Sequence, residues 1–179
     1  SDFSSSGFSF VEVDKGQVVE KIIEVVDFFT GNKNGSIDFD KTQILSPMRR
    51  YSSGLINLNS IMQKKYNPNG EKVFSKMEGE KEIQFCAGDK VICTQNDYDI
   101  DVRNGDIGYV VNKVGKNIRV EFDGEMKLFH NNKIDYLDLA YAITVHKSQG
   151  SEYPNVVMPI VDDHRIMLTR KLIYTAITR

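Results

Sequence analysis

Cysteine is scarce in this 179-residue sequence, which contains only Cys86 and Cys93. The two do not form a Cys-x-x-Cys pair, and no histidine lies close to them in the sequence. This pattern excludes a disulfide-rich scaffold and disfavours a structural zinc site. We therefore expect both thiols to be apolar packing groups in a reducing, cytoplasmic environment.

Long apolar runs and an excess of charge of either sign are also missing. The 23 Lys and Arg residues nearly balance the 25 Asp and Glu residues, which gives a net charge of -2. This balance disfavours a globally basic nucleic-acid coat but permits a local basic strip. Because no apolar stretch is long enough to cross a bilayer and the first residues do not resemble a secretory signal, we expect no membrane partner.

Several motifs of self-sufficient enzymes are absent as well. The sequence has no Gly-x-x-x-x-Gly-Lys-Ser/Thr phosphate loop and no Gly-x-Gly-x-x-Gly turn. It also lacks His-Glu-x-x-His and Gly-x-Ser-x-Gly. We therefore expect that this sequence contains no self-contained nucleotide-hydrolysing or hydrolase site.

The apolar pattern in the first part of the chain predicts alternating strands and helices. Apolar residues recur at helical spacing, whereas shorter apolar runs end at glycine, asparagine or proline. The predicted order is a strand at 8–13, a helix at 15–30, a strand at 41–46 and a helix at 53–66. This order is typical of an α/β fold with a parallel sheet and helices on its faces.

Residues 84–135 show a different pattern, with short strands, tight turn sequences and no convincing helix. The strands are predicted at 90–94, 107–113, 118–122 and 126–130. Such spacing indicates a small antiparallel β-barrel. The α/β pattern resumes with strands at 141–145 and 155–160 and a helix at 169–178. The sequence thus predicts a barrel at 84–135 inserted between two parts of one α/β domain, 1–83 and 136–179.

The most informative polar stretch is AYAITVHKSQGSEYP, residues 140–154, where a predicted strand ends in a polar loop. In open α/β sheets, ligands bind at the carboxyl ends of strands. Hydroxyls, the backbone N–H groups near Gly150 and the charge of Lys147 suit phosphate, and Gln149 or Glu152 suits a ribose or a neighbouring catalytic group. An ordinary polar surface loop is the alternative.

Two further stretches place arginine where phosphate binding is feasible. In ILSPMRRYSSG, residues 44–54, Arg49 and Arg50 follow a strand that ends before Pro47. Guanidinium groups bind phosphate oxygens in a bidentate manner. In KLIYTAITR, Arg179 follows a predicted helix. The alternatives are a solvated charge pair and an arginine that complements the helix dipole.

Considered together and in their order along the chain, these stretches resemble the motifs of a known family. AYAITVHKSQGSE and LIYTAITR resemble motifs V and VI of superfamily 1 helicases, in the form found in RecD-like helicases, and ILSPMRR resembles their motif IV region. FCAGDKVICTQNDYDIDVRNGDIGYVV resembles the SH3-like domain inserted in the bacterial members, the exodeoxyribonuclease V alpha-chain family. The resemblance extends over nearly the whole chain from about Phe8.

The resemblance implies that the chain is the second of two RecA-like domains, with an SH3-like β-barrel inserted in it, from a longer protein. The other RecA-like domain would contain the Walker A and Walker B motifs. The implied activity is that of an ATP-dependent DNA helicase of 5′ to 3′ polarity, acting in DNA repair and recombination. The implied partners are single-stranded DNA, the N-terminal RecA-like domain and, as in some relatives, the subunits of a recombination complex.

The resemblance also implies roles for single residues. Arg179 matches the arginine finger of motif VI, and Arg50 matches a second γ-phosphate contact in motif IV. The residues of motif V on the nucleotide side are Gln149, Gly150 and Glu152. The residues that would contact phosphates of the single strand are Thr144, His146 and Lys147. No metal ligand is assigned, and Asp162-Asp163-His164 is expected to be an exposed turn.

A non-enzymatic adapter is the alternative function. In that case the barrel and its α/β platform would bind protein or nucleic acid without ATP. The fold of an SH3-like barrel does not determine its ligand. The barrel sequence contains several acidic residues but also Lys113, Lys116 and Arg119, so its partner stays open at this stage.

Overall fold

The computed structural model describes residues 7–31, 39–47, 54–161 and 169–178. The chain forms two compact units, one made of residues 1–62 and 141–179 and the other of residues 63–140. In the sequence, the second unit is therefore one continuous segment that separates the two parts of the first. None of the helices within the described ranges is long and apolar enough to cross a bilayer.

Three helices and ten strands lie within the described residues. The helices are α1 (Val18–Thr30), α2 (Leu55–Tyr66) and α3 (Arg170–Ile177). The strands are β1 (Thr42–Ser46), β2 (Lys72–Glu78), β3 (Lys81–Cys86), β4 (Lys90–Cys93), β5 (Ile107–Val114), β6 (Asn117–Phe122), β7 (Glu125–Phe129), β8 (Leu137–Leu139), β9 (Ala142–Thr144) and β10 (Asn155–Val157). Short 3₁₀ helices cover Lys15–Gln17 and Asn131–Tyr136.

The first unit is built on a parallel sheet with the strand order β10-β1-β9. All five residues of β1 are buried, because this strand has a neighbour on each side. Ile44 lies opposite Ala142 on one side and opposite Val157 on the other. The parallel sheet and its helices confirm the α/β, RecA-like part of the predicted fold.

Helix α1 follows the predicted amphipathic pattern. Ile22 and Val26 are buried, and α1 packs against β1 and β10. The helix ends at Gly31, which adopts a left-handed φ of 64° and donates its N–H to the carbonyl of Asp27. Glycine is favoured there because other residues enter this region only with strain.

The predicted strand at 8–13 is wrong. Residues 7–14 form no regular structure, and the side chains of Phe8 and Phe10 are 72% and 71% exposed. Alternating apolar residues form a stable strand only when a neighbouring strand accepts their hydrogen bonds. Within the described residues no strand pairs with this segment.

The second unit contains a five-stranded antiparallel sheet in the order β7-β6-β5-β4-β8. Along β6 buried residues alternate with half-buried ones, so one face of the sheet is a core. Gly108 of β5 lies so close to the main chain of Glu121 that a Cβ atom would overlap its carbonyl oxygen. These strands confirm the four that the sequence predicts, with ends that differ by one residue.

The hairpin formed by β2 and β3 was not predicted. Its two strands pair from Lys72 opposite Cys86 to Glu78 opposite Lys81, and Phe74 stacks on Phe85 at 4.2 Å between ring centroids. The predicted domain limits, at 83/84 and 135/136, stay a prediction. The hairpin extends across the first of them.

Buried polar groups fix the hairpin to the rest of the second unit. Asp89 is fully buried and accepts hydrogen bonds from the Asn67 amide at 2.7 Å and from the Cys86 N–H at 2.6 Å. Burial raises the pKa of the thiols of Cys86 and Cys93, and Cys93 donates to the carbonyl of Gln95 at 3.0 Å. The thiols are thus held in their neutral form, which suits packing groups.

Candidate functional site

The carboxyl ends of β1, β9 and β10 meet at one edge of the parallel sheet. Thr144 is the last residue of β9, and it lies in register with Ser46, the last residue of β1. Ser46 and the following Pro47 are both buried. The polar stretch after β9 and the arginine-containing stretch after β1 therefore start side by side, at the edge where open α/β sheets bind ligands.

The loop after β9 has its own internal framework. Val145 and Ser148 are buried, with exposed fractions of 1% and 0%, and the Ser148 hydroxyl donates to the Val145 carbonyl at 2.8 Å. The N–H groups of Lys147 and Ser148 donate to the Thr144 carbonyl at 3.0 and 3.2 Å. The loop is consequently a compact turn anchored by Ser148.

Gly150 closes this turn. Its φ is +90°, and nothing lies within 4 Å of the position that a Cβ atom would occupy. The need for glycine is therefore conformational, since there is space for a side chain but the left-handed backbone disfavours one. Next to Gly150, the N–H of Ser151 donates to the Ser148 carbonyl at 3.1 Å.

The structure brings the six predicted motif V residues onto this one loop. Thr144 and Lys147 are half-buried, and the exposed members are His146, Gln149, Gly150 and Glu152. The strand-side residues, which are those proposed to contact single-stranded DNA, come first along the loop (Thr144, His146 and Lys147). The nucleotide-side residues follow them (Gln149, Gly150 and Glu152). Their separate roles stay predictions.

The hydrogen bonds within the loop bear on which of its groups could donate to phosphate. The sequence favoured backbone N–H groups near Gly150 as phosphate donors. The N–H groups of Lys147, Ser148, Gln149 and Ser151 instead bond to carbonyls of the same loop. The N–H groups of Gly150 and Glu152 are not among these bonded groups, so backbone donors near Gly150 stay a prediction. Among the side chains, Thr144 is suited to phosphate because its Oγ1 accepts from the Lys147 N–H at 3.3 Å while its O–H remains able to donate.

Two amide side chains that the sequence analysis did not single out hold the start of β9. Asn59 of α2 is buried, donates to the carbonyl of Ala142 at 3.0 Å and accepts from its N–H at 2.9 Å. Gln43 of β1 donates to the carbonyl of Tyr141 at 3.2 Å. Because β9 is the outer strand of the described sheet, Asn59 provides the pairing that a further strand would give. In the sequence, Asn59 lies at helical spacing from Leu55 and Met62, and this pattern could have indicated that its side chain is buried.

Tyr153 lies at the far end of the loop. Its ring is half-buried, and burial raises the pKa of its hydroxyl, an effect that the nearby Ser151 hydroxyl only partly offsets. Tyr153 is therefore neutral at physiological pH. The charges of the loop come from Lys147 and Glu152.

The arginines proposed to contact the γ-phosphate lie outside the described residues. This holds for Arg49, Arg50 and Arg179, whose roles stay predictions. Helix α3, which precedes Arg179, is described and buries Ala176. Within the described ranges, no three His, Cys, Asp or Glu side chains gather to hold a metal ion, and Asp162-Asp163-His164 lies outside those ranges.

Two family models match the chain. The ATP-dependent RecD-like DNA helicase SH3 domain matches residues 58–122, and the UvrD-like helicase C-terminal domain matches residues 139–179. The first match covers most of the antiparallel unit. The second contains β9, the loop after it, β10 and α3.

Curated relatives match across the two units. The chain is 39% identical over 137 residues to an ATP-dependent RecD2 DNA helicase of Deinococcus radiodurans, covering 76% of this chain and 18% of the relative. It is 29% identical over 143 residues to the RecBCD enzyme subunit RecD of Haemophilus influenzae, covering 80% of this chain and 21% of the relative. The chain thus spans about a fifth of the length of these relatives.

Solved structures support the fold. A Pif1 helicase from Bacteroides, in complex with ADP-AlF3 and single-stranded DNA, superposes with a TM-score of 0.58 at 17% identity, covering 93% of this chain and 43% of that chain. Taken with the two family models and the RecD2 relative, the parallel sheet and the antiparallel unit identify a RecA-like domain of the superfamily 1 helicase class with an SH3-like domain. Within that class, the chain belongs to the RecD-like helicases, as the resemblance predicted.

Proposed function

We propose that the chain is the second motor domain of an ATP-dependent DNA helicase. It would act in the cytoplasm together with a Walker-A-containing RecA-like domain of the same protein. The observation that carries the proposal is the anchored loop 144–152 at the carboxyl edge of the parallel sheet. The helicase names of the matching families and relatives favour this motor function over the adapter alternative.

The strand-side function follows from the chemistry of the first half of the loop. Thr144 offers a hydroxyl, Lys147 offers a positive charge, and His146 is exposed beside them. These groups suit the phosphates of a single strand and do not distinguish bases. Since the buried Ser148 holds the loop in shape, movements of β9 would be transmitted to these contacts.

The nucleotide-side function follows from the second half of the loop. Gln149 and Glu152 are exposed, and the open space around Gly150 lets a ligand approach the main chain. We assign Glu152 to the nucleotide ribose, and Arg179 and Arg50 to the γ-phosphate. When bound with Mg²⁺ between the two RecA-like domains, ATP supplies the phosphoryl transfer that drives movement along the strand.

The partners of the whole protein differ between relatives. One curated relative is named as an ATP-dependent RecD2 DNA helicase, without mention of a complex. Others are named as subunits of the RecBCD enzyme. We propose single-stranded DNA as the common partner. Recombination-complex subunits would be additional partners only if the protein works like the second group.

The isolated 179-residue chain is expected to show no ATP turnover. The sequence has no phosphate loop to hold the β- and γ-phosphates. A strand-stimulated ATPase assay on the purified chain, with a mock purification as control, measures this. Turnover that exceeds the mock preparation and persists through repurification would contradict the proposal.

Replacing Lys147 with alanine is expected to weaken single-strand binding equally for all base compositions. Loss of one phosphate contact should reduce the slope of log binding constant against log salt by about 0.7. Turnover at saturating DNA should fall much less. Fluorescence anisotropy at several salt concentrations measures the slope in the full-length protein.

The matched control is Lys64→Ala, since Lys64 is an exposed lysine of α2 that is absent from the loop. This variant should keep the wild-type slope. An unchanged slope in Lys147→Ala, or an equal change in both variants, would remove Lys147 from the strand-side group.

A further inference from the structure

The antiparallel unit contains a groove of about 730 Å³ along one side of β2. Six consecutive residues of β2, Lys72–Met77, line it, and no residue of β3 does. The other wall is formed by Lys113, Asn131, Ile134 and Asp135. Because residues of both β2 faces contribute, the groove follows the edge of β2 that points away from β3.

This edge of β2 is open. Among the described strands, β2 pairs with β3 alone. An open strand edge presents a row of N–H and C=O groups, on which another extended chain can add as a strand. Many proteins protect such an edge with unpaired lysines that repel an incoming strand.

Here the lysines of β2 do not protect the edge in that way. Lys76 is folded against its own unit, where its ammonium donates to Asp138 at 2.7 Å and to the Leu137 carbonyl at 2.6 Å. Lys72 pairs with Glu82 of β3 at 3.4 Å. The charge of Lys76 is therefore balanced inside the unit, and Lys72 has a carboxylate partner at the surface of the hairpin.

The remaining chemistry of the groove points to a peptide. Lys113 is exposed and has no ion-pair partner among the described residues, so its ammonium can pair with one carboxylate. Met77 is 64% exposed and offers an apolar contact. A nucleic-acid strand requires several unpaired cations in a row, whereas this groove combines one such lysine with the exposed carboxylate of Asp135.

We propose that the groove binds an extended segment of another protein, which adds as a strand to β2. An acidic side chain of that segment faces Lys113, and an apolar side chain contacts Met77. The partner is thus a protein with an extended segment in which acidic and apolar residues alternate. This surface lies wholly within the antiparallel unit, and its function does not depend on the motor function proposed above.

The probe for this test is a short peptide in which valine and aspartate alternate. Addition of a strand requires the peptide's N–H groups, and alternate N–H groups point to opposite edges of a strand. The matched control is therefore the same peptide with every backbone N–H methylated, which leaves neither edge able to donate. Two-dimensional NMR of the labelled protein should show shifts in the amide signals of residues 72–77 with the first peptide and not with the second. An oligothymidylate of similar length is tested in parallel.

The charge contact is tested with Lys113→Glu. This variant should weaken binding of the valine–aspartate peptide by about twofold to fivefold, because the loss of one exposed ion pair costs up to about 1 kcal/mol. Lys116→Glu, an exposed lysine outside the groove lining, should leave binding unchanged. Both positions are exposed, so neither change should affect folding.

Three results would overturn the proposal. The first is an absence of shifts in β2 at millimolar peptide. The second is equal binding of the methylated peptide, because side chains alone would then bind it. The third is Lys113-dependent binding of the oligothymidylate in place of the peptide, which would make the groove a nucleic-acid surface.

Discussion

Replacing Arg179 with alanine is expected to lower strand-stimulated ATP turnover of the full-length protein by about 10³- to 10⁵-fold, the range for arginine fingers. In the proposed mechanism its guanidinium neutralises charge that develops during phosphoryl transfer. The loss should be smaller if Arg50 compensates. Single-strand binding should be nearly unchanged, because Arg179 does not contact DNA in this mechanism.

Steady-state turnover and strand anisotropy on the same preparations measure the two properties. Arg170→Ala is the matched control, since Arg170 is exposed at the start of α3, the helix that precedes Arg179. It should retain both properties. Equal losses of binding and turnover in Arg179→Ala and Lys147→Ala, with circular dichroism unchanged, would mean that the nucleotide-side and strand-side roles are assigned wrongly.

Replacing Asn59 with alanine is expected to lower the free energy of unfolding by about 2–4 kcal/mol. The change leaves the N–H and the carbonyl of Ala142 without their side-chain partner, and each unsatisfied buried group costs about 1–3 kcal/mol. Ala142 is the first residue of β9, which ends at Thr144. Binding of single-stranded DNA should therefore weaken in the same variant. Denaturant unfolding and anisotropy measure the two effects.

The control for Asn59 is Ser60→Ala on the same helix, at a half-buried position. We expect this change to alter the free energy of unfolding by less than about 0.5 kcal/mol, as is usual away from buried networks. If the two variants unfold at the same denaturant concentration, the amide of Asn59 does not hold β9 in place.

The elements that could be predicted from the sequence are those whose own residues determine them. Strand β1 is a short segment around Ile44 and Leu45 that ends before Pro47. Strands β6 and β7 alternate apolar and polar residues next to tight turns. The hairpin of β2 and β3 was missed because lysine and glutamate interrupt its alternation. Its stability comes from pairing and from the Phe74–Phe85 stack, which a local pattern does not display.

The site shows the same division. The motif V residues could be found because they are contiguous and end an apolar strand. The roles of Asn59 and Gln43 could not, since their partners are main-chain atoms 83 and 98 residues away in the sequence, and the helical pattern of α2 indicates only that Asn59 is buried. The opposite error occurred at residues 8–13, where a favourable local pattern has no neighbouring strand in the described structure.

The most direct test of the central claim is ATP-dependent unwinding by the full-length protein of duplexes with a single-stranded tail. The mechanism predicts strand-stimulated ATP hydrolysis and unwinding of a 5′-tailed duplex, with little unwinding of a 3′-tailed one, and loss of both activities in Arg179→Ala. A full-length protein that binds single strands but whose ATP turnover is neither stimulated by them nor dependent on Arg179 would contradict the assignment of this chain as a motor domain.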